Sequence, residues 1–433
     1  MAAPETHHKP FPFQKVMIGT VGTALEWYDF GVYGFFAAII GRQFFPSDDP
    51  ISSLLAAFGA FAAGFLARPF GAVLFGRLAD LKGRGFALTA SVMLMAVPTF
   101  CISILPTYEM VGPIAAVFLV ICRILQGLSV GGEHTTSIVY LVEHASPRHR
   151  GLAGSFAPFG ASAGILLGSA VGTFLQFNLT KEQMELWGWR VPQAFGLLLA
   201  LVGMWIRSHN REVETSQVAK KHPPLLETFK EQSRKIALVF FLNVVSGVGF
   251  YLIFVYLATY LQETGEATGA SALEINTISM ALLLTLIPVF GWLADKVGAI
   301  VLMSISTIGL FMFARPLFGM MHSHLFAWDL AGEIGFVLLL TPFMAASPSA
   351  LCLMLVPATR CTVLSIGFNL AMGVLGGTTP LLVEYLRKKT HEDMTPAYYL
   401  MLAAAITGTA LFFYRREPEA EVHALQAAPT TAG

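Results

Sequence analysis

The stretch Gly76-Arg-Leu-Ala-Asp80-Leu-Lys-Gly83 returns later in the chain as Gly291-Trp-Leu-Ala-Asp295-Lys-Val-Gly298, displaced by 215 residues at each matched position. Each copy closes a long apolar segment. A second pair, Pro147-Arg-His-Arg150 and Pro357-Ala-Thr-Arg360, is displaced by 210 residues. One chance G-x-x-x-D-x-x-G is not rare. Two at corresponding places, backed by a second pair at nearly the same offset, mean that the chain repeats itself.

Working outward from the repeat, apolar segments separated by polar breaks fall at 16–41, 52–76, 86–105, 113–142, 152–177 and 191–207 (spans 1–6). The second set falls at 236–261, 273–293, 299–320, 327–356, 362–386 and 397–414 (spans 7–12). Of the 433 residues 55% are hydrophobic and only 12% charged, about half the charged fraction of a soluble globular protein. That excludes a soluble multidomain enzyme and a disordered chain, and it suffices for roughly twelve spans of ~20 residues. The segments are apolar on most faces, so helices fit and the alternation of barrel strands does not. The expected fold is an all-α membrane protein of twelve transmembrane helices in two pseudo-symmetric six-helix bundles, 1–207 and 236–414. A polar linker, 208–235, with Lys220, Lys221, Pro223 and Pro224 joins them, and a short tail, 415–433, follows.

Lysine and arginine set the orientation. With both termini in the cytoplasm, 18 of the 27 basic residues lie on cytoplasmic segments, and three, Arg68, Arg123 and Arg315, lie within spans. The N-terminus lacks a signal-peptide pattern, so span 1 is expected to stay in the protein. An inner-membrane location follows. The 27 basic and 27 acidic residues cancel, which gives no reason to expect a nucleic-acid partner. Cys101, Cys122, Cys352 and Cys361 lack metal-ligand spacing and read as small core residues.

The loop signature of Gly76, Asp80, Gly83 and Arg84 resembles that of the major facilitator superfamily. Within it the chain resembles the metabolite:proton symporters, carriers of citrate, 2-oxoglutarate, shikimate and proline or glycine betaine. The resemblance rests on Glu26-Trp-Tyr-Asp-Phe30, Arg68-Pro-Phe-Gly71, Arg123-x-x-Gln126-Gly127 with Gly131-Gly132-Glu133, and Trp187-Gly-Trp-Arg-Val-Pro192. It runs along nearly the whole chain and is strongest in the first half. In the second loop copy Ala299 replaces the basic residue after the last glycine. The resemblance implies a twelve-helix transporter, driven by the proton gradient without a bound cofactor. Parallel six-helix repeats are the architecture of this class.

A charge at mid-bilayer costs from about 2.5 kcal/mol upward, so it marks a functional candidate. Arg123 stands nine residues into span 4 and Glu26 about ten into span 1 from the other face, which puts both ~14–15 Å deep. Asp29 follows one turn later. Glu26, Asp29 and Tyr33 share a stripe, and a carboxylate–guanidinium contact with Arg123 is expected. A carboxylate that alternates between an arginine and a proton supplies coupling, so Glu26, Asp29 and Arg123 are the coupling candidates. Substrate candidates are Tyr33, Arg123, Gln126 and Glu133, then Asn243, Tyr251, Glu333 and Asn369 in the second half. His134 shares the Arg123 face. Glu333 precedes Pro357 by 24 residues, as Arg123 precedes Pro147. Arg68 is expected to snorkel or to support a gate, and Arg315 to snorkel at the outer end of span 9. Gly160, Gly164, Gly168 and Gly172 form a ladder for close helix packing.

Gating is expected from Gly76, Asp80, Gly83 and Arg84, from Arg150 as a partner of Asp80, and from Asp295 and Gly298. An aspartate at a helix end accepts hydrogen bonds from a neighbouring helix N-terminus and pairs with basic residues. No nucleophile–base set, metal cluster or phosphate loop stands out, and the His322-Ser-His324 pair is a weak metal candidate. The leading expectation is a monomeric proton symporter that takes up a small carboxylate-bearing metabolite by alternating access. The few cations inside the second half favour monocarboxylates, amino acids or betaine-like zwitterions over tricarboxylates. The alternatives are a facilitator or proton-driven exporter of the same fold and, from another class, a non-transporting sensor.

Overall fold

The computed structural model describes residues 13–82, 84–131, 133–196, 201, 230–264, 269–322, 325–355 and 360–414. Within them the architecture is helical throughout, and no strand occurs. Eight helices are long and apolar enough to cross a membrane, from Pro50–Ala72 to Thr395–Tyr414. The remaining expected spans differ for local reasons. Span 1 is interrupted at Phe36, giving Phe13–Phe35 and Ala37–Phe44. Span 4 is described as Ile114–Val130 and Glu133–His144, with a turn at Gly131. Span 3 is Arg84–Ile104, and span 6 is described only at its start. The linker 208–235 lies outside the described residues up to 229, and span 7 begins at Ser233, three residues earlier than the hydropathy suggested.

Spans 7 and 11 each carry a wider, π-helical segment, Leu252–Tyr256 and Leu370–Gly376. These insertions shift the helix face and are common at functional sites. Prolines interrupt spans 2, 3, 5, 8, 9, 10 and 11. Membrane helices accept them because neighbours and local backbone adjustment satisfy the freed groups.

Glycines set how closely the helices approach. A Cβ on Gly127 of span 4 would run into the Gly64 carbonyl of span 2, and one on Gly71 into the Leu128 carbonyl. These two contacts press span 4 onto span 2. The glycine ladder of span 5 does the same for span 1: Gly160 lies on Thr20, Gly164 on the Ala24 carbonyl, and Gly168 on Val32. Span 5 then presents its other side to span 8 of the second bundle, while span 2 meets span 11. The core therefore runs along the seam between the two halves, where Trp27, Phe65, Tyr251 and Phe254 are all buried.

Candidate functional site

The stripe on span 1 carries two ion pairs. Arg123 Nη1 donates to Asp29 Oδ2 at 3.1 Å and to Gln126 Oε1 at 2.7 Å. One turn away, Arg68 Nη2 donates to Glu26 Oε1 at 3.0 Å. Arg123 is 0% exposed and Arg68 1%. Spacing of three residues rotates Glu26 toward span 2 and Asp29 toward span 4, so each acid has its own guanidinium. The expected pairing of Arg123 therefore holds for Asp29, whereas Glu26 is paired with Arg68.

Arg68 thus corrects an expectation. It neither snorkels nor reaches the loop end. Its head is held inside the bundle by Glu26 and is 1% exposed.

Aromatic rings enclose both guanidinium groups. Arg123 sits 4.2 Å from the Tyr33 ring centre and 4.9 Å from Phe30, and Arg68 lies 5.1 Å from Phe65 and 5.7 Å from Trp27. Cation–π attraction is worth about 2 kcal/mol when desolvated, and here it covers N–H groups without hydrogen bonds: Nε and Nη2 of Arg123, Nε and Nη1 of Arg68. Tyr33 itself donates to the Ala57 carbonyl at 3.0 Å. Gln126 is fixed from behind, since its Nε2 donates to Thr99 Oγ1 at 2.8 Å and Thr99 donates to the Met95 carbonyl. Thr99 has no charge and sits in an ordinary apolar run, so nothing in the sequence marked it.

Beside this charged layer lies a small pocket between the two bundles. Trp27, His134, Phe250 and Phe368 form its aromatic wall, and Asn243, Ser246 and Ser347 supply polar groups. Phe250 meets the edge of Trp27 at 5.3 Å, and His134 stacks on Phe368 at 5.0 Å. Among the described residues that line it there is no lysine, arginine, aspartate or glutamate. Trp27 is the element that separates the cavity from Arg68.

The other expected residues are distributed more widely. Asn243 reaches the cavity and donates to the Val239 carbonyl. Tyr251 stacks behind Trp27 at 5.9 Å. Asn369 bridges the bundles, donating to the Gly131 carbonyl at 2.8 Å. Glu333 is buried on span 10 but does not line the cavity. Arg315 is exposed near the C-terminal end of span 9. The side chains of Gly76, Asp80, Arg84 and Glu133, and residue Gly83, lie outside the described residues.

The bundles are bridged at both ends. At the end bearing the repeat loops, Asp295 accepts from the backbone N–H groups of Gly151 and Leu152 at 2.6 and 2.9 Å, capping span 5. Gly298, at φ +98°, turns the chain directly after this aspartate into span 9. Arg360 donates to Glu143 at 2.6 Å at the same end, while Arg150 begins span 5. At the opposite end Ser169 bonds Thr277 at 2.6 Å and Gly34 packs on Val255.

The chain matches the sugar (and other) transporter family over residues 15–223. A putative proline/betaine transporter of Staphylococcus aureus is 34% identical over 404 residues, spanning 91% of this chain and 86% of the relative. The proline/betaine transporter of Salmonella typhimurium is 32% identical over 408 residues, 90% of this chain and 81% of the relative. Among solved structures, the xylose transporter XylE from E. coli in a partially occluded inward-open conformation superposes with a TM-score of 0.70 at 17% identity. That match covers 95% of this chain and 98% of XylE. At this identity the likeness concerns the fold.

Proposed function

We propose that this chain, which belongs to the metabolite:proton symporter family of the major facilitator superfamily, takes up a small zwitterion, an amino acid or a betaine, together with protons. It is a transporter and not an enzyme. The observation that carries the substrate class is the aromatic-walled pocket, uncharged among the described residues and backed by a buried arginine. An ammonium or quaternary ammonium group is attracted to the faces of Trp27 and Phe250. Asn243, Ser246 and Ser347 offer hydrogen bonds to a carboxylate, and Arg68 behind Trp27 supplies its counter-charge. A tricarboxylate would need several cations, and the described residues of this wall include none. The names of the relatives at 34% and 32% identity point the same way.

In this reading Asp29 carries the proton and Arg123 senses it. A proton on Asp29 leaves the guanidinium without its counter-charge, which favours entry of an anionic group close by. Substrate and proton are then held together and released together. The Asp295–span 5 bond is the gate on the cytoplasmic side, where both termini lie, in an inner-membrane, monomeric carrier.

Reconstituted into proteoliposomes with an alkaline interior, the protein should accumulate labelled proline or glycine betaine above the external concentration, and a protonophore should abolish the accumulation. Flux that only equilibrates makes it a facilitator. Efflux driven by the gradient makes it an exporter, and binding without flux a sensor.

The gate carries its own prediction. Asp295→Ala removes both acceptors at the N-terminus of span 5, a loss of about 1 kcal/mol. A cysteine placed at Ser155, which packs on Gly291, should then be alkylated about fivefold faster than in the parent, with uptake slowed. An unchanged alkylation rate would sink the gate assignment.

A further inference from the structure

At the end opposite the repeat loops, His322 stands between two acceptors. Its Nδ1 lies 2.9 Å from the Phe318 carbonyl, one turn back on span 9, and its Nε2 lies 3.0 Å from Tyr260 Oη on span 7. Tyr260 Oη in turn lies 3.1 Å from the Asp393 carbonyl between spans 11 and 12. A carbonyl oxygen only accepts, so Nδ1 must carry hydrogen, and the phenol must donate to Asp393 for that link to exist. The phenol has one hydrogen. A neutral ring with Nδ1–H then offers only a bare nitrogen to Tyr260, and one of the three links is lost. An imidazolium supplies the third hydrogen and completes all of them.

We propose that His322 is a proton-operated latch: when protonated it ties the tip of span 7 both to the end of span 9 and to the segment after span 11, and when neutral it leaves that tip with one of these two ties. Charged groups of both signs surround it. Arg387 lies 5.6 Å from the Tyr260 ring and pairs with Glu384 at 2.9 Å and with the Asp393 carboxylate at 3.1 Å. Lys388 is 3.9 Å from Glu384, and Asp329 begins the neighbouring span 10. Tyr256, one turn before Tyr260, donates to Glu384 at 2.6 Å. The π-helical segment Leu252–Tyr256 connects this tip to Phe250 and Tyr251, which form and back the cavity wall. A wider helical turn is a natural place for the tip to bend. The latch therefore acts on the end of the span whose earlier turns line the cavity. Its exposure to the external pH rests on the orientation proposed above, but its existence does not.

The test uses the full chain in lipid nanodiscs without substrate or gradient, so a failed uptake assay has no bearing on it. Hydrogen exchange over residues 257–263 is followed at pH 5.5 and pH 8, the range in which histidine changes charge, after correction for intrinsic exchange rates. Wild type should lose about fivefold in protection at pH 8, the effect of one hydrogen bond. His322→Gln should show the lower protection at both pH values. Tyr260→Phe, which keeps the ring and removes the hydroxyl, should do the same with the histidine intact. A wild type without the pH step, or a step that persists in either variant, overturns the latch.

Discussion

Arg123→Ala is expected to fold and insert but to show no measurable uptake, with Arg123→Lys recovering little. The guanidinium holds Asp29 and Gln126 from one nitrogen and lies against the Tyr33, Phe30 and Phe61 rings. Truncation leaves Asp29 buried without a counter-charge. Removing one partner of a buried pair costs ~3–5 kcal/mol, and ~4 kcal/mol expressed in coupling or binding is roughly a thousandfold. Lysine returns the charge but is a compact ammonium that cannot spread flat between three rings while reaching two oxygens. Uptake, substrate binding and proton dependence should be measured in the same preparations. Near wild-type values for all three in Arg123→Ala would make this arginine a structural pin.

Asp29→Asn should abolish accumulation driven by a proton gradient while substrate exchange across the membrane continues. The amide has the shape of the carboxylate and can still accept from Arg123 Nη1, so the layer keeps its geometry. It cannot take up and release a proton. Counterflow needs no net proton movement, whereas accumulation does. Accumulation by the variant would remove Asp29 from the coupling step. If binding is lost while the residual activity keeps its coupling ratio, Asp29 is a ligand of the substrate instead. Glu26 offers the contrast, because its partner is Arg68 beside the cavity wall: Glu26→Gln should alter apparent substrate affinity more than coupling.

Much of the molecule could be read without coordinates. The two-fold repeat, the succession of spans and the stripe of Glu26, Asp29 and Tyr33 were all legible, because a bilayer sets helix length and penalises each embedded charge residue by residue. Such penalties are local, and a one-dimensional reading captures them. The Arg68–Glu26 partnership, the support of Gln126 by Thr99 and the aromatic cavity were not legible. His322 illustrates the same limit: the sequence offered it as half of a loop pair, whereas its hydrogen-bond partners come from spans 7 and 9 and include a backbone carbonyl.

The sequence by itself determined that this is a helical membrane transporter of two related bundles, and which buried charges had to find partners. Only the tertiary structure decided which partner each one found. The choice depends on helix rotation and spacing, fixed where Gly64 meets Gly127 and Gly164 meets Ala24, and an ion pair forms or fails over a few ångströms. Hydropathy averages over a whole span and carries no record of that approach.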